Sequence, residues 1–169
     1  MLDVTHRSFR GRICVLKKNG MILETPAVLP WNGDGAASVV SDGNGRKVRI
    51  CGEEISVDPK ILTGPSSGVK APVMSKDGIA VLRLPLSGDE IVPDGCEAVV
   101  IPNGFELRDS FRMLCDQIPK ARQAAGFGRL LVVLGLADPS NLALLAYMGV
   151  DAVDESFVRA AGLNGYLTE

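Results

Sequence analysis

The stretch that decides the fold is GFGRLLVVLGLADPSNLALLAYMGVDAVDESFVRAAGLNGYLTE, residues 126–169. Residues 129–134 are a run of Leu and Val with no polar alternation after Arg129, as expected of a strand buried on both faces. Gly135 ends it. Asp138-Pro139 is a helix start: an oxygen to cap free amides, then a ring that presets φ at the first helical position. Residues 141–148 carry the helix and Gly149 stops it. Residues 150–153 form the next strand, and Asp154 follows at its end, ahead of Glu155 and Ser156. In parallel α/β folds, sites form beyond the carboxyl ends of strands. Asp154 and the 136–141 loop both stand at such an end. Two roles fit Asp154. It caps the following helix through the Ser156 or Phe157 amide, or it acts as a nucleophile or general base.

Upstream, residues 98–101 read as another strand, followed by Pro102-Asn103-Gly104-Phe105-Glu106, a second candidate site loop. There Asn103 can read a base edge and Glu106 can hold a ring N–H; a plain βα turn uses the same Asn and Gly for backbone reasons. Asp109 or Ser110 caps a helix to Ala125, with Phe111, Leu114, Cys115, Ile118 and Ala121 at 3–4 spacing. Pro119 is expected to kink it or end its first half. From Ala98 onward the order β-α-β-α-β implies parallel strands.

The first third of the chain is different. Residues 12–16 and 21–25 flank Lys17-Lys18-Asn19-Gly20, and Asn-Gly favours a tight hairpin turn. Pro26 and Pro30 bracket the apolar Ala27-Val28-Leu29. Residues 37–41 and 46–51 read as a second hairpin around Asp42-Gly43-Asn44-Gly45, a turn rather than a phosphate loop because no helix start follows. Val48, Ile50, Ile55 and Val57 alternate with polar residues. Residues 58–76 are rich in Pro, Ser and Gly and read as a long loop; residues 79–84 form a strand ended by Pro85. The organisation expected is one domain over 1–169, with hairpins to residue 57, a loop-rich connection over 58–96 and a βαβαβ part over 97–169.

Composition narrows the classes. The hydrophobic share is 46% and mean hydropathy is +0.19, which fits a packed globular chain. No run of apolar residues is long enough to span a bilayer, and the polar start MLDVTHRSFR does not read as a secretory signal. A cytoplasmic location without membrane contact is expected. The four cysteines, Cys14, Cys51, Cys96 and Cys115, are widely spaced and His6 is the one histidine. They read as buried small apolar residues, with no metal site. A net charge of −2 announces no nucleic-acid partner globally. The basic start is the local exception: Arg7, Arg10, Arg12, Lys17 and Lys18 against Asp3 are candidate RNA contacts, or a solvated strand edge.

GLADPSNLALLAYMGVDAVDES, with GYLT after it, resembles the late barrel strands of the tRNA-guanine transglycosylase superfamily. ICVLKKNGMILETPAVLP (13–30) resembles that family's N-terminal hairpin. EAVVIPNGFELRDSFRML (97–114) followed by AAGFGRLLVVLGLADPSN is similar to one branch, the N-terminal transglycosylase-like domain of archaeosine synthase. These segments cover about half the chain; residues 31–96 match no family pattern.

The resemblance implies a reduced or partial (β/α) barrel preceded by N-terminal β-hairpins. A whole barrel needs ~250 residues. It also implies that Asp154 stands where transglycosylases keep the nucleophile that attacks the ribose carbon, with Val153 replacing the usual Phe. Asn103, Glu106, Asp138, Asn141 and Asp151 are then candidate substrate contacts. The family's early Asp-Ser-Gly-x-Phe-Gln motif is missing; Ser41-Asp42-Gly43 is a poor substitute. The Gly-rich base-recognition strand is missing too, and the structural zinc ligands that lie beyond the nucleophile fall outside this sequence. Without base capture a lone nucleophile cannot position guanine.

The branch therefore implies a domain or subunit of archaeal tRNA modification, in the archaeosine and 7-deazaguanine pathway. It binds tRNA or scaffolds, without base exchange or cofactor of its own. Its partners are tRNA and the separate chain or domain holding the archaeosine synthase catalytic and PUA parts, with self-association left open. Two alternatives stand beside it. One is a minimal transglycosylase-type enzyme using Asp154, with Glu106, Asp138 or Asp151 as acid–base partner. The other is an unrelated α/β domain that binds a small ligand.

Overall fold

The computed structural model describes residues 1–8, 10–41, 45–57, 74–76 and 78–163. The Asp42-Gly43-Asn44 turn, most of the 58–76 stretch and the GYLT segment lie outside the described residues. The strands are β1 (Leu2–Ser8), β2 (Gly11–Lys18), β3 (Met21–Thr25), β4 (Ala27–Leu29), β5 (Ala37–Ser41), β6 (Arg46–Ile50), β7 (Glu53–Ser56), β8 (Met74–Lys76), β9 (Ile79–Val81), β10 (Ala98–Ile101), β11 (Leu130–Val133) and β12 (Ala152–Asp154). The helices are α1 (Phe111–Ala125), α2 (Leu142–Tyr147) and α3 (Ser156–Leu163), and Gly104–Leu107 forms a 3-10 turn.

The central sheet has the order β4-β12-β11-β10-β9-β8. Five of its strands are parallel and β8 runs antiparallel at one edge. Two antiparallel sheets accompany it, β1-β2-β3 and β5-β6-β7. The described strands do not close into a barrel, because β4 and β8 both end the central sheet.

Alternation along the parallel strands explains the layers. Val99, Ile101, Leu131, Val133 and Val153 face the helices, where Leu114, Ile118, Ala121 and Leu145 meet them. Ala98, Val100, Leu130, Val132 and Ala152 face the other way, onto Cys14, Leu16, Val39, Val48, Ile50 and Ile55 of the antiparallel sheets. Both faces of these strands are thus dry, which is why they read as unbroken apolar runs. Burying each such Val or Leu stabilises the fold by about 1.5–3 kcal/mol.

The first hairpin forms where Asn-Gly requires it, with Asn19 at φ 51° and Gly20 at φ 74°. The second hairpin gains a third strand, β7. Other elements depart from expectation. The polar segment ahead of residue 10 is a strand, β1, paired with β2 and almost wholly exposed. The Ala27–Leu29 segment is not merely apolar filler: it pairs in parallel with β12. The strand expected over 150–153 is displaced to Ala152–Asp154, because Asp154 still has a partner, Leu29. The strand expected over 79–84 stops at Val81, and residues 82–97 run on without helix or strand, setting Leu82, Leu84, Leu86, Val92 and Cys96 into the core.

Helix α1 is continuous through Pro119. Cys115, whose carbonyl loses the Pro119 amide, lies on the exposed side within reach of water. The buried stripe of α1 is also rotated from the expected one. Phe111 and Cys115 are exposed, and Gln117 and Arg122 are buried with Leu114, Ile118, Ala121 and Ala125. Gln117 holds both backbone groups of Leu86, and Arg122 reaches an aspartate across the layer. Of the four cysteines, Cys14, Cys51 and Cys96 are buried and Cys115 is not. Burial pushes the three inner thiols up. Among the described residues no helix is long and apolar enough to cross a membrane.

Candidate functional site

The carboxyl ends of β4, β12, β11, β10 and β9 lie along one side of the central sheet, and the loops that leave them hold most of the candidate residues. Asp154 ends β12. Alternation puts its side chain on the face shared with Ala152, away from the helices. The residue is 1% exposed. Its Oδ1 accepts the Gly135 N–H at 2.6 Å, and its Oδ2 is buried without a partner. Gly135 sits at φ 71°, which turns the chain after β11 so that its amide meets the carboxylate. Asp154 does not cap α3 through the Ser156 or Phe157 amide. The adjacent Glu155 is engaged elsewhere, accepting the Trp31 N–H at 2.9 Å and pairing with Arg159 at 3.2 Å.

The loop after β10 is anchored by Asn103. Its buried amide accepts the Leu84 N–H and donates to the Leu84 carbonyl, both at 3.0 Å. The side chain expected to read a base edge thus ties two loops together. Gly104 lets this loop lie directly on the end of β11: a Cβ there would stand 2.5 Å from Val133 Cγ1 and 2.6 Å from the Leu134 carbonyl oxygen. Glu106 is exposed.

The loop after β11 is closed on itself. Asp138 accepts from the Ser140 amide at 2.8 Å and the Asn141 amide at 3.2 Å, and from the Ser140 hydroxyl. Asn141 accepts the Asp138 N–H at 3.0 Å and donates to the Leu136 carbonyl at 3.1 Å. The Ser140 hydroxyl first, then the two amides and Arg108, hold the Asp138 carboxyl below its ordinary range against the effect of burial. Arg108 is a residue the sequence reading missed. Its guanidinium stands 3.0 Å from the Phe157 ring centroid and 4.0 Å from the Asp138 carboxylate, linking the loops after β10 and β11 to the first turn of α3.

Asp151 is at the opposite end, before β12 begins. It accepts from Arg12 Nε and Nη2 at 2.8 Å, Arg122 Nη1 at 2.9 Å and the Leu131 N–H at 2.7 Å. The network also takes in the carbonyls of Gly126, Phe127 and Arg129. Asp151 is therefore not brought together with Asp154. Arg12, a candidate RNA contact, is buried in the same network. Burial works against its charge, but the hydrogen bond and charge of Asp151 prevail and raise its pKa. Lys18 is clamped between Glu53 and Glu97, both at 2.6 Å. Lys17 and Arg7 are exposed, and Arg10 is half-buried. Arg122 and Gln117 carried a readable signal: they continue the 3–4 stripe of Leu114, Ile118, Ala121 and Ala125. Among the described residues, no three His, Cys, Asp or Glu side chains cluster to hold a metal.

No protein-family model matches the chain. It is 26% identical over 134 residues to archaeosine synthase subunit alpha of Thermoplasma acidophilum, which covers 76% of this chain and 22% of that subunit. It is 39% identical over 75 residues to archaeosine synthase of Haloferax volcanii, covering 44% of this chain and 13% of that protein. The chain spans less than a quarter of the length of these curated relatives, and what the matches establish is distant similarity to archaeosine synthase.

Proposed function

We propose that this chain is a transglycosylase-like component of cytoplasmic archaeal tRNA modification that binds tRNA or scaffolds the catalytic parts, without exchanging a base itself. The observation that carries this reading is the state of Asp154. It is 1% exposed, and among the described residues its one hydrogen bond comes from a backbone amide, with no second carboxylate bonded to it. A nucleophile needs access to the ribose carbon and a proton-shuttling partner; neither is arranged here. The similarity to archaeosine synthase and its alpha subunit supports the tRNA-modification setting. The sheet order supports a barrel ancestry: β4, the earliest of the parallel strands, lies beside β12, the last, as the first and last strands of a barrel do.

The second reading, a minimal enzyme attacking through Asp154, is favoured by one observation: Oδ2 has no partner. One experiment separates the two. The purified chain and Asp154→Ala are mixed with tRNA carrying 7-cyano-7-deazaguanine and with unmodified tRNA, and binding is followed by a denaturing gel. Binding that survives Asp154→Ala, with no covalent adduct, is expected. An adduct lost in the variant would establish the enzyme, and binding to neither tRNA would remove the tRNA-binding half of the proposal and leave scaffolding.

A further inference from the structure

The amino end of the parallel strands holds more buried positive charge than its carboxylate balances. Arg12 comes from β2 and Arg122 from α1, and both converge on Asp151, at 2.8 and 2.9 Å. Backbone carbonyls take up most of their other N–H groups. Among the described residues Arg122 Nε is the nitrogen of this pair that is buried without any partner. Burial pushes the Arg122 guanidinium down to about 10, the Arg12 charge adds to that and Asp151 opposes it. A buried surplus cation is unfavourable unless an anion sits nearby.

Arg122 also forms part of the wall of an open groove of about 590 Å3, beside the β1–β2 turn and the C-terminal half of α1. The wall includes Arg10, Lys120 and Phe127, and one carboxylate, Asp116, which pairs with Lys120 at 2.7 Å. Phe127 is 42% exposed as a residue. The Arg7 guanidinium lies 3.9 Å from its centroid and that of Arg122 5.7 Å. The groove is distinct from the Asp154 loops, since three residues of extended chain, about 10 Å, separate Asp151 from Asp154.

We propose that this groove docks a single-stranded segment of RNA, its phosphates on Arg10 and Lys120 in front of the buried Arg122 charge, and one base stacked on the Arg7 guanidinium that covers the Phe127 ring. A cationic track beside a flat guanidinium laid on an aromatic ring is the chemistry that single-stranded nucleic acid fits. An acidic peptide fits the charge but has no use for the flat stack. The choice of RNA over DNA rests on the functional reading above; the chemistry of the groove does not.

The test is fluorescence anisotropy with a labelled oligouridine of about ten nucleotides, carrying no tRNA sequence, and with whole tRNA, at about 50 and 200 mM salt. Lys120→Glu is expected to weaken oligouridine binding about tenfold and to lower the salt slope by about one. Phe127→Leu, which keeps apolar bulk without the ring, is expected to weaken it several-fold with the slope unchanged. Arg159→Glu, on α3, is expected to change nothing. Circular dichroism melts confirm that each variant folds. No binding by the unaltered chain, or equal binding by the groove variants, overturns the proposal. So does competition by polyglutamate as effective as by RNA, and equal affinity for oligodeoxythymidine overturns the assignment to RNA. Whole tRNA bound equally by the unaltered chain and the groove variants refutes the groove but leaves the functional reading standing. Oligouridine bound through the groove with no binding of tRNA keeps the groove and removes tRNA binding from that reading.

Discussion

Asp151 and Asp154 stand three residues apart at the two ends of β12, each 1% exposed, and they are treated in opposite ways. Asp151 accepts four hydrogen bonds, three of them from guanidiniums. Those guanidiniums come from different layers, so the carboxylate joins the antiparallel β2, the helix α1 and the central sheet at one point. Among the described residues Asp154 accepts one, from a backbone amide, and leaves an oxygen buried and bare. A buried polar group is tolerated when its hydrogen bonds are met. Asp151 meets that condition and Asp154 Oδ2 does not. The difference separates a residue that holds layers together from one whose presence the fold does not explain.

The contrast predicts the largest effect at Asp151. Asp151→Ala leaves two buried guanidiniums facing each other, and is expected to lower stability by about 3–5 kcal/mol in chemical denaturation. A loss below about 1 kcal/mol would mean that the network holds nothing together. The next effect tests how tightly the other end is built. Gly104→Ala forces a Cβ against the Leu134 carbonyl, which is backbone and cannot swing away. A loss of about 1–3 kcal/mol is expected in thermal melts. An unchanged melt would show that the carboxyl-end loops are loosely laid on the strands.

Asp138 supplies the control within the Asp154 end, a carboxylate that is well served. Its pKa is lowered in the fold, first by the Ser140 hydroxyl. Its contribution is therefore full above the unfolded value of about 3.9 and is lost as pH falls through the lower folded value. Asp138→Ala is expected to cost about 1 kcal/mol at neutral pH, as loss of a cap does. The gap to the unaltered chain should close below about pH 4. A gap that persists in acid would assign the effect to packing and not to the ionised carboxylate.

How much of this was legible follows from how local each signal is. The first hairpin is written in Asn19-Gly20, and the buried strand Leu130–Val133 in its unbroken apolar run. Asp138 was readable as an acceptor for free amides because Ser140 and Asn141 are its neighbours, but the helix start expected at Asp138-Pro139 is a turn, and α2 begins only at Leu142. Strand β1 left no such mark: its residues are exposed on nearly every position, and pairing with β2 rather than burial makes it a strand. Strand β4 is set by β12, more than a hundred residues away, and three residues between prolines carry no period. Arg12 looked like surface charge because Asp151, its partner, is 139 positions distant. Arg122 and Gln117 were readable, since polar residues that keep step with an apolar stripe need buried partners. The placement of Asp154 at a strand end was visible; its burial was not, because Leu29 and Gly135 create it from separate parts of the chain.

The smallest expected effect is the most telling. Asp154→Asn keeps an oxygen to accept the Gly135 N–H. In place of the bare second oxygen it puts an amide NH2. Each side chain is thus buried with one group met and one unmet, and the neutral amide has no charge to desolvate. Stability should therefore change by less than about 1 kcal/mol, with any shift toward a more stable fold, whereas Asp151→Asn should remain strongly destabilising. If Asp154→Asn proves as damaging as Asp151→Asn, Asp154 is a structural residue like its neighbour and the contrast between the two ends dissolves. If the variant is neutral or more stable, the fold gains nothing from the carboxyl, and its bare Oδ2 is a cost that the packing around Leu29 and Gly135 offsets.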